Sequence, residues 1–270
     1  MTTLIRTTAI LFAMQLRALL RSKRFLVCAL IALAPTAAAL FVCAIARAHG
    51  EAIPTFELAW LFVVQSTVPL IALILGSAVI AEEIEDRTVT YLFTRPVPRA
   101  SVLLGRLLAA VLVAVALCWL AAEPALLVVQ RAGESIVDPE PRIAAMLLPD
   151  GMRESIRQAC LIGAVVYTTM FAVAGAILKH PMIVGIGYTF VIEGFVGMLP
   201  GQNATATVQY HLKSLVAGGS EAHLLRMREL FGHQELAPAG ESLQALWTTA
   251  LVALALGLWI VSRKQYVMQS

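Results

Sequence analysis

Four acids in five positions, Glu82, Glu83, Glu85 and Asp86, close a long apolar run. Loops flanking membrane segments on the inner side favour basic residues. An acidic cluster there reads as a surface able to pair with basic side chains of another protein, the alternative being a charged inner loop that only follows topology. Thr88, Tyr91, Leu92, Phe93, Pro96, Pro98 and Arg99 follow before a second apolar run opens, which makes residues 75–106 two membrane helices joined by a structured elbow. A second feature is a lone carboxylate. Glu193 lies about 11 residues into an apolar stretch, roughly 16 Å along a helix rising 1.5 Å per residue. A carboxylate at that depth is costly and faces an interior partner or a watery cavity. It is read either as a substrate-path or gating residue, or as a protonated Glu hydrogen-bonded between helices or to a dimer mate. Gln65 is the companion candidate for the same path.

The elements that must position these residues follow from composition. Hydrophobic residues make up 59% of 270 and charged residues 14%, and mean hydropathy is +0.82. A soluble domain carries about 25% charged residues. The chain is therefore a polytopic integral membrane protein, all-α, read as a single transmembrane domain over residues 1–270. A spanning helix needs about 20 apolar residues, and six stretches meet or approach that: 25–46, 58–81, 102–129, 159–178, 182–199 and 243–262. With six spans both termini share one side. That side holds 12 of the 20 Lys and Arg residues, in the shorter loops, including the Arg21–Arg24 cluster. Both termini are expected in the cytoplasm. Residues 2–22 alternate apolar and basic positions without a cleavage site and are read as an amphipathic interfacial helix. The alternative is a cytoplasmic extension of the first span.

Outside the membrane, RIAAMLLPDGMRESIR within 131–158 reads as an amphipathic helix and an Asp150–Gly151 turn. Within 201–242, Val208, Leu212, Leu215 and Val216, and then Leu224, Met227 and Phe231, recur at helical spacing. These short helices are expected to pack over the outer ends of the spans as a lid or to lie at the outer interface. Cys28, Cys43, Cys118 and Cys160 fall in or beside spans and read as small apolar fillers. The five histidines are scattered. No Walker A, H-E-x-x-H or G-x-S-x-G motif is present, and no basic face with interleaved aromatics points to nucleic acid. Asn203-Ala204-Thr205 matches a glycosylation sequon, a pattern that arises often by chance. Pro35 and Pro69 are expected to bend their helices, and Gly185, Gly187, Gly194 and Gly197 to thin the fifth span for close helix contact.

The elbow resembles that of permease subunits of the ABC-2 superfamily. Gly76, Glu82 and Glu83, Thr88, the Leu92–Phe93 pair, Pro96, Arg99 and Gly105–Arg106 stand in the family's order. Arg87 departs from it, where a Gly commonly precedes the Thr. The resemblance implies a noncatalytic permease that pairs with a second copy or paralogue and binds cytoplasmic P-loop ATPase subunits, which hold ATP and Mg. It implies a coupling helix from about Ile84 to Thr94 that presents Tyr91, Leu92 and Phe93 to a groove, ended by Pro96 and Pro98. The expected function is export across a bacterial-type inner membrane, with the chain forming the path, embedded in lipid and requiring no cofactor of its own. A membrane scaffold for a partner, an integral enzyme acting on lipid and a secondary transporter are the alternatives. The enzyme would need a His, Asp or Cys cluster at one face, and the transporter two related halves.

Overall fold

The computed structural model describes residues 2–49, 55–85, 99–134, 148–195, 205–232 and 235–263, and every regular element among them is a helix. Helix α1 (Thr2–Leu20) and helix α2 (Lys23–His49) are separate. Ser22 makes the break: its hydroxyl donates to the Leu19 carbonyl at 2.7 Å and accepts from the Phe25 amide at 3.1 Å. One side chain thereby closes the first helix and caps the second. Helix α3 has three stretches, Thr55–Leu58, the wider π turns of Ala59–Thr67, and Val68–Glu85. Helix α4 (Arg99–Glu134) has 36 residues, about 54 Å at 1.5 Å per residue, so it extends beyond a hydrocarbon core of about 30 Å.

Helix α5 (Met152–Ile177) starts earlier than the expected 159. The RESIR segment, expected in the outer segment 131–158, forms its first turns, entered through Gly151 at φ 75°. Helix α6 runs over Pro181–Gly187 and continues as π turns over Tyr188–Phe195. Helices α7 (Val208–Ala217) and α8 (Glu221–Phe231) are short, and α9 (Ala239–Arg263) is long. Among the described residues five helices are long and apolar enough to cross a membrane, namely α2, α3, α4, α5 and α9. The expected fifth span over 182–199 appears as a shorter apolar helix, Pro181–Gly194. Its last turns are π-wound, and the carboxylate they carry is occupied by another helix.

The core lies where α3, α4 and α5 meet. About two-thirds of the apolar window of α3 and α5 is buried (67% each), against 22% for α2 and α9. The outward faces of α2 and α9 expose Leu26, Leu30, Phe41, Leu251, Val252 and Trp259. Such faces suit lipid tails, which are as apolar as the side chains themselves. Glycines let the core backbones touch. A Cβ at Gly76 would stand 2.6 Å from the Thr168 carbonyl oxygen, and one at Gly175 would collide with that of Ser77. At these two positions the inner half of α3 packs backbone to backbone on α5.

Candidate functional site

The site begins with a proline. Between Ala59 and Thr67 the turns of α3 are wide, and at their end the Val68 amide donates to the Val63 carbonyl, five residues back. Ser66 and Thr67 hydroxyls donate to Leu61 and Phe62 carbonyls, each at 2.7 Å and also five back. In that register the next donor belongs to residue 69. Pro69 has no N–H, so the Val64 carbonyl loses its partner. The Gln209 side-chain amide of α7 takes the place at 3.2 Å. A buried carbonyl without a donor costs roughly 1–3 kcal/mol, and this contact removes that cost while docking α7 on α3.

Glu193 meets the same helix from α6. Its side chain is 3% exposed. Its carboxylate accepts from the Val208 amide at 3.1 Å, the Gln209 amide at 2.9 Å and the Tyr188 hydroxyl at 2.5 Å. Val208 and Gln209 open α7, whose first amides have no partner inside the helix. Thr207 at the N-cap accepts from the Tyr210 amide at 3.2 Å. Two side chains, one on the preceding helix and one at the N-cap, therefore satisfy three orphan amides, and the negative group sits at the positive end of the helix dipole. Tyr167 stacks on Phe171, with ring centroids 6.0 Å apart, and Phe171 meets Tyr188 edge-on at 6.1 Å. This aromatic wall closes the polar node from the bundle side. Gln65, the other expected path residue, is the neighbour of Val64, and its buried Oε1 has no hydrogen-bond partner among the described residues.

One turn along α7, Lys213 is 3% exposed and holds its ammonium 4.0 Å above the Phe231 ring of α8. Burial pushes the ammonium down to about 8, against a smaller upward pull from Glu193. Leu212 fills the space beside Gly163 of α5 and Val68 of α3. Gly163 stands 11 residues into α5, roughly 16 Å along its axis, so α7 is set deep among the helices and does not rest on top of them. Helix α8 covers the outer end of α3: Arg226 pairs with Glu57 at 3.3 Å and Glu229 at 2.7 Å, and Trp60 meets Phe231 edge-on at 5.8 Å. His223 Nε2 donates to the Asp150 carbonyl at 2.9 Å, joining α8 to the turn before α5. Beside that turn, Glu123 of α4 pairs with Arg153, which also donates to Gln130 at 3.1 Å.

At the opposite end are the stems of the elbow. Glu82, Glu83 and Glu85 occupy the last turn of α3 and Arg99 opens α4. Asp86, Thr88, Tyr91, Leu92, Phe93 and Pro96 lie outside the described residues, as does most of the expected coupling helix. The stems themselves are tied together. Arg106 of α4 donates to the Val79 carbonyl of α3 at 3.3 Å. Gly105 lets α1 approach: a Cβ there would lie 2.9 Å from both the Thr8 carbonyl oxygen and Leu11 Cβ. Gly76, on the other stem, sits at the contact with α5 described above.

The structure thus separates two groups of expected site residues. Glu193 enters a node with Tyr188, Gln209 and the backbone beside Gln65, while the elbow acids stand at the far end of α3. Sequence reasoning missed Gln209 and Lys213, which lie on a short helix in a loop segment and carry no motif. It also missed the Glu123–Arg153 pair, for which the only signal was opposite charges near the same expected membrane face. Among the described residues no group of three or more His, Cys, Asp or Glu side chains is placed to hold a metal ion. The family model described as "ABC-2 family transporter protein" matches residues 16–197, a span that takes in α2 to α6 and both stems of the elbow. A search of curated proteins finds no match.

Proposed function

This chain belongs to the ABC-2 transporter family, matched over more than half its length, and from that premise we propose that it is the membrane permease of an ATP-driven exporter. In this reading six segments cross a bacterial-type inner membrane with both termini in the cytoplasm, α6 serving as the fifth. A second copy or paralogue completes the path. A cytoplasmic P-loop ATPase binds ATP and Mg and docks on the elbow. Glu82, Glu83, Glu85 and Asp86 pair with basic residues of that ATPase, Tyr91, Leu92 and Phe93 fill its groove, and Thr88, Pro96 and Arg99 shape the turn.

The observation that carries the reading is the build of the two stems. Arg106 binds Val79 across them, and each stem has a glycine at its contact with a neighbouring helix, Gly76 against α5 and Gly105 against α1. In this reading a push on the loop between such stems passes to α5 at Gly76 and to α1 at Gly105, where no side chain of the glycine stands between the helices to absorb it. Glu193 and Gln65 remain the path candidates, at the level where α3 and α6 leave regular α geometry, a departure frequent at functional sites.

The test is a mild-detergent pull-down of the tagged full chain from its native membranes, with an ATPase assay on the eluate. Recovery of a P-loop ATPase, lost in Glu82→Ala/Glu83→Ala or Leu92→Ala/Phe93→Ala variants that still insert, is the expected result. A chain that elutes without ATPase activity, under conditions preserving other such complexes, overturns the reading in favour of a scaffold.

A further inference from the structure

A cavity of about 500 Å³ opens at the elbow end of the bundle, between the start of α2, the inner part of α3 and the turn joining α5 to α6. Its size falls within the roughly 300–1,000 Å³ of small-molecule sites. Four of its lining residues are basic or titratable to a cation, namely Lys23, Arg24, Lys179 and His180. Ser77 and Ala78 of α3 form its floor, and Val27 and Ile183 its apolar walls. Among the described residues Lys23 and Lys179 take part in no ion pair.

The surroundings narrow the ligand. On both sides the walls continue into exposed apolar helix faces, Leu26 and Leu30 on α2, and Ile183, Ile186 and Phe190 on α6. In a membrane protein those faces meet acyl chains. The basic residues stand where α2 and α6 begin, the level at which spanning helices meet lipid headgroups. The cavity therefore presents cations at one level and a hydrocarbon-lined exit immediately next to it. A soluble anion satisfies the first but leaves the second without use, and a neutral lipid does the reverse.

We propose that this cavity is a binding site for the headgroup of an anionic phospholipid of the surrounding leaflet. The lipid phosphate lies between Lys23 and Lys179, with Arg24 and His180 at the rim, and the acyl chains run out along α2 and α6. Basic pockets between membrane helices recognise anionic headgroups in this way. The occupant bridges α2 and α6, which share few contacts of their own among the described residues, and so ties the start of α2 to that of α6 beside the stem of the elbow. This inference needs the chain only to span a membrane. It stands or falls independently of the ATPase reading.

Native mass spectrometry of the detergent-purified full chain tests it, with phosphatidylglycerol, phosphatidylcholine and inorganic phosphate as separate probes. The expected result is one tightly retained phosphatidylglycerol per chain, not matched by phosphatidylcholine. In Lys23→Gln/Lys179→Gln its retention weakens on the order of 30-fold, taking about 1 kcal/mol per lost cation. Lys23→Arg/Lys179→Arg retains it, and equal melting temperatures for the two double variants exclude misfolding as the cause. Equal retention of both lipids, or no change in the Gln variant, overturns the proposal. Displacement of phosphatidylglycerol by millimolar inorganic phosphate alone does so too, since it would make the site one for free anions.

Discussion

The two halves of α3 are held in place by different physics. The outer half, Ala59 to Thr67, departs from α geometry and is fixed by directional bonds: Gln209 to the Val64 carbonyl, and Glu193 to the helix that carries Gln209. The inner half, Val68 to Glu85, is regular and is fixed by shape, with Gly76 and Ser77 laid against Thr168 and Gly175 of α5. Directional bonds fail when a partner is deleted, and shape contacts fail when an atom is added. One helix can therefore be held by shape at its elbow end and by hydrogen bonds at its outer end, and each end is vulnerable to a different kind of mutation.

Deleting the Glu193 carboxylate is the strongest challenge to this contrast. Glu193→Ala strands two helix amides and the Tyr188 hydroxyl, at about 1–3 kcal/mol for each buried donor. The thermal midpoint in detergent is expected to fall by roughly 10 °C, with faster amide exchange confined to 208–217. A uniform rise in exchange across α3 and α5 would show that the two halves are not separate. Next in size is Gly175→Ala, which adds a single methyl against the Ser77 backbone and is expected to cost about 1–3 kcal/mol. The same substitution at Gly187, which has open space around its Cβ position, should be neutral or slightly stabilising in the same assay.

Gln209→Leu sharpens the outer half further. Alone it should cost roughly 1–2 kcal/mol by orphaning the Val64 carbonyl. In a Pro69→Ala background the restored amide can serve that carbonyl, so the double-mutant cycle should return a coupling of about 1 kcal/mol. Strict additivity would mean that Gln209 does not replace the proline's missing donor. The last test concerns pH. The folded Lys213 ammonium titrates at about 8, below its ordinary 10.5. Between those values the unfolded chain binds the extra proton, so stability rises with pH across that window and is flat below it. Lys213→Met should abolish the rise, as read by melting temperature from pH 7 to 10.

Much of this organisation was legible in the sequence, for reasons that differ by region. The spans read as 25–46, 58–81 and 243–262 lie within helices Lys23–His49, Thr55–Glu85 and Ala239–Arg263, because hydrocarbon thickness sets a length that hydropathy reports directly. The helical spacing of Val208, Leu212 and Val216 likewise marked α7, which buries those side chains. Glu193 stood out because a carboxylate in an apolar run is costly. Its partners did not, since two of the three are backbone amides and every residue but proline has one. The π turns of α3 also escaped a reading based on a 3.6-residue period. Only Pro69, preceded by Ser66 and Thr67, marked the place where the helix ladder would need outside help.

That help arrives late in the life of the chain. Val64 and Gln209 are 145 residues apart. A ribosome adding about 5–20 residues per second takes on the order of ten seconds to cover that distance. Through that interval the nascent α3 carries an unpaired carbonyl, which a bilayer tolerates only where water or protein can reach it. The hairpin of α3 and α4 is therefore finished by the ribosome well before it is finished chemically. Its last hydrogen bond is made by a segment outside the stretch matched to the family, and a truncation anywhere before residue 209 leaves that bond unmade.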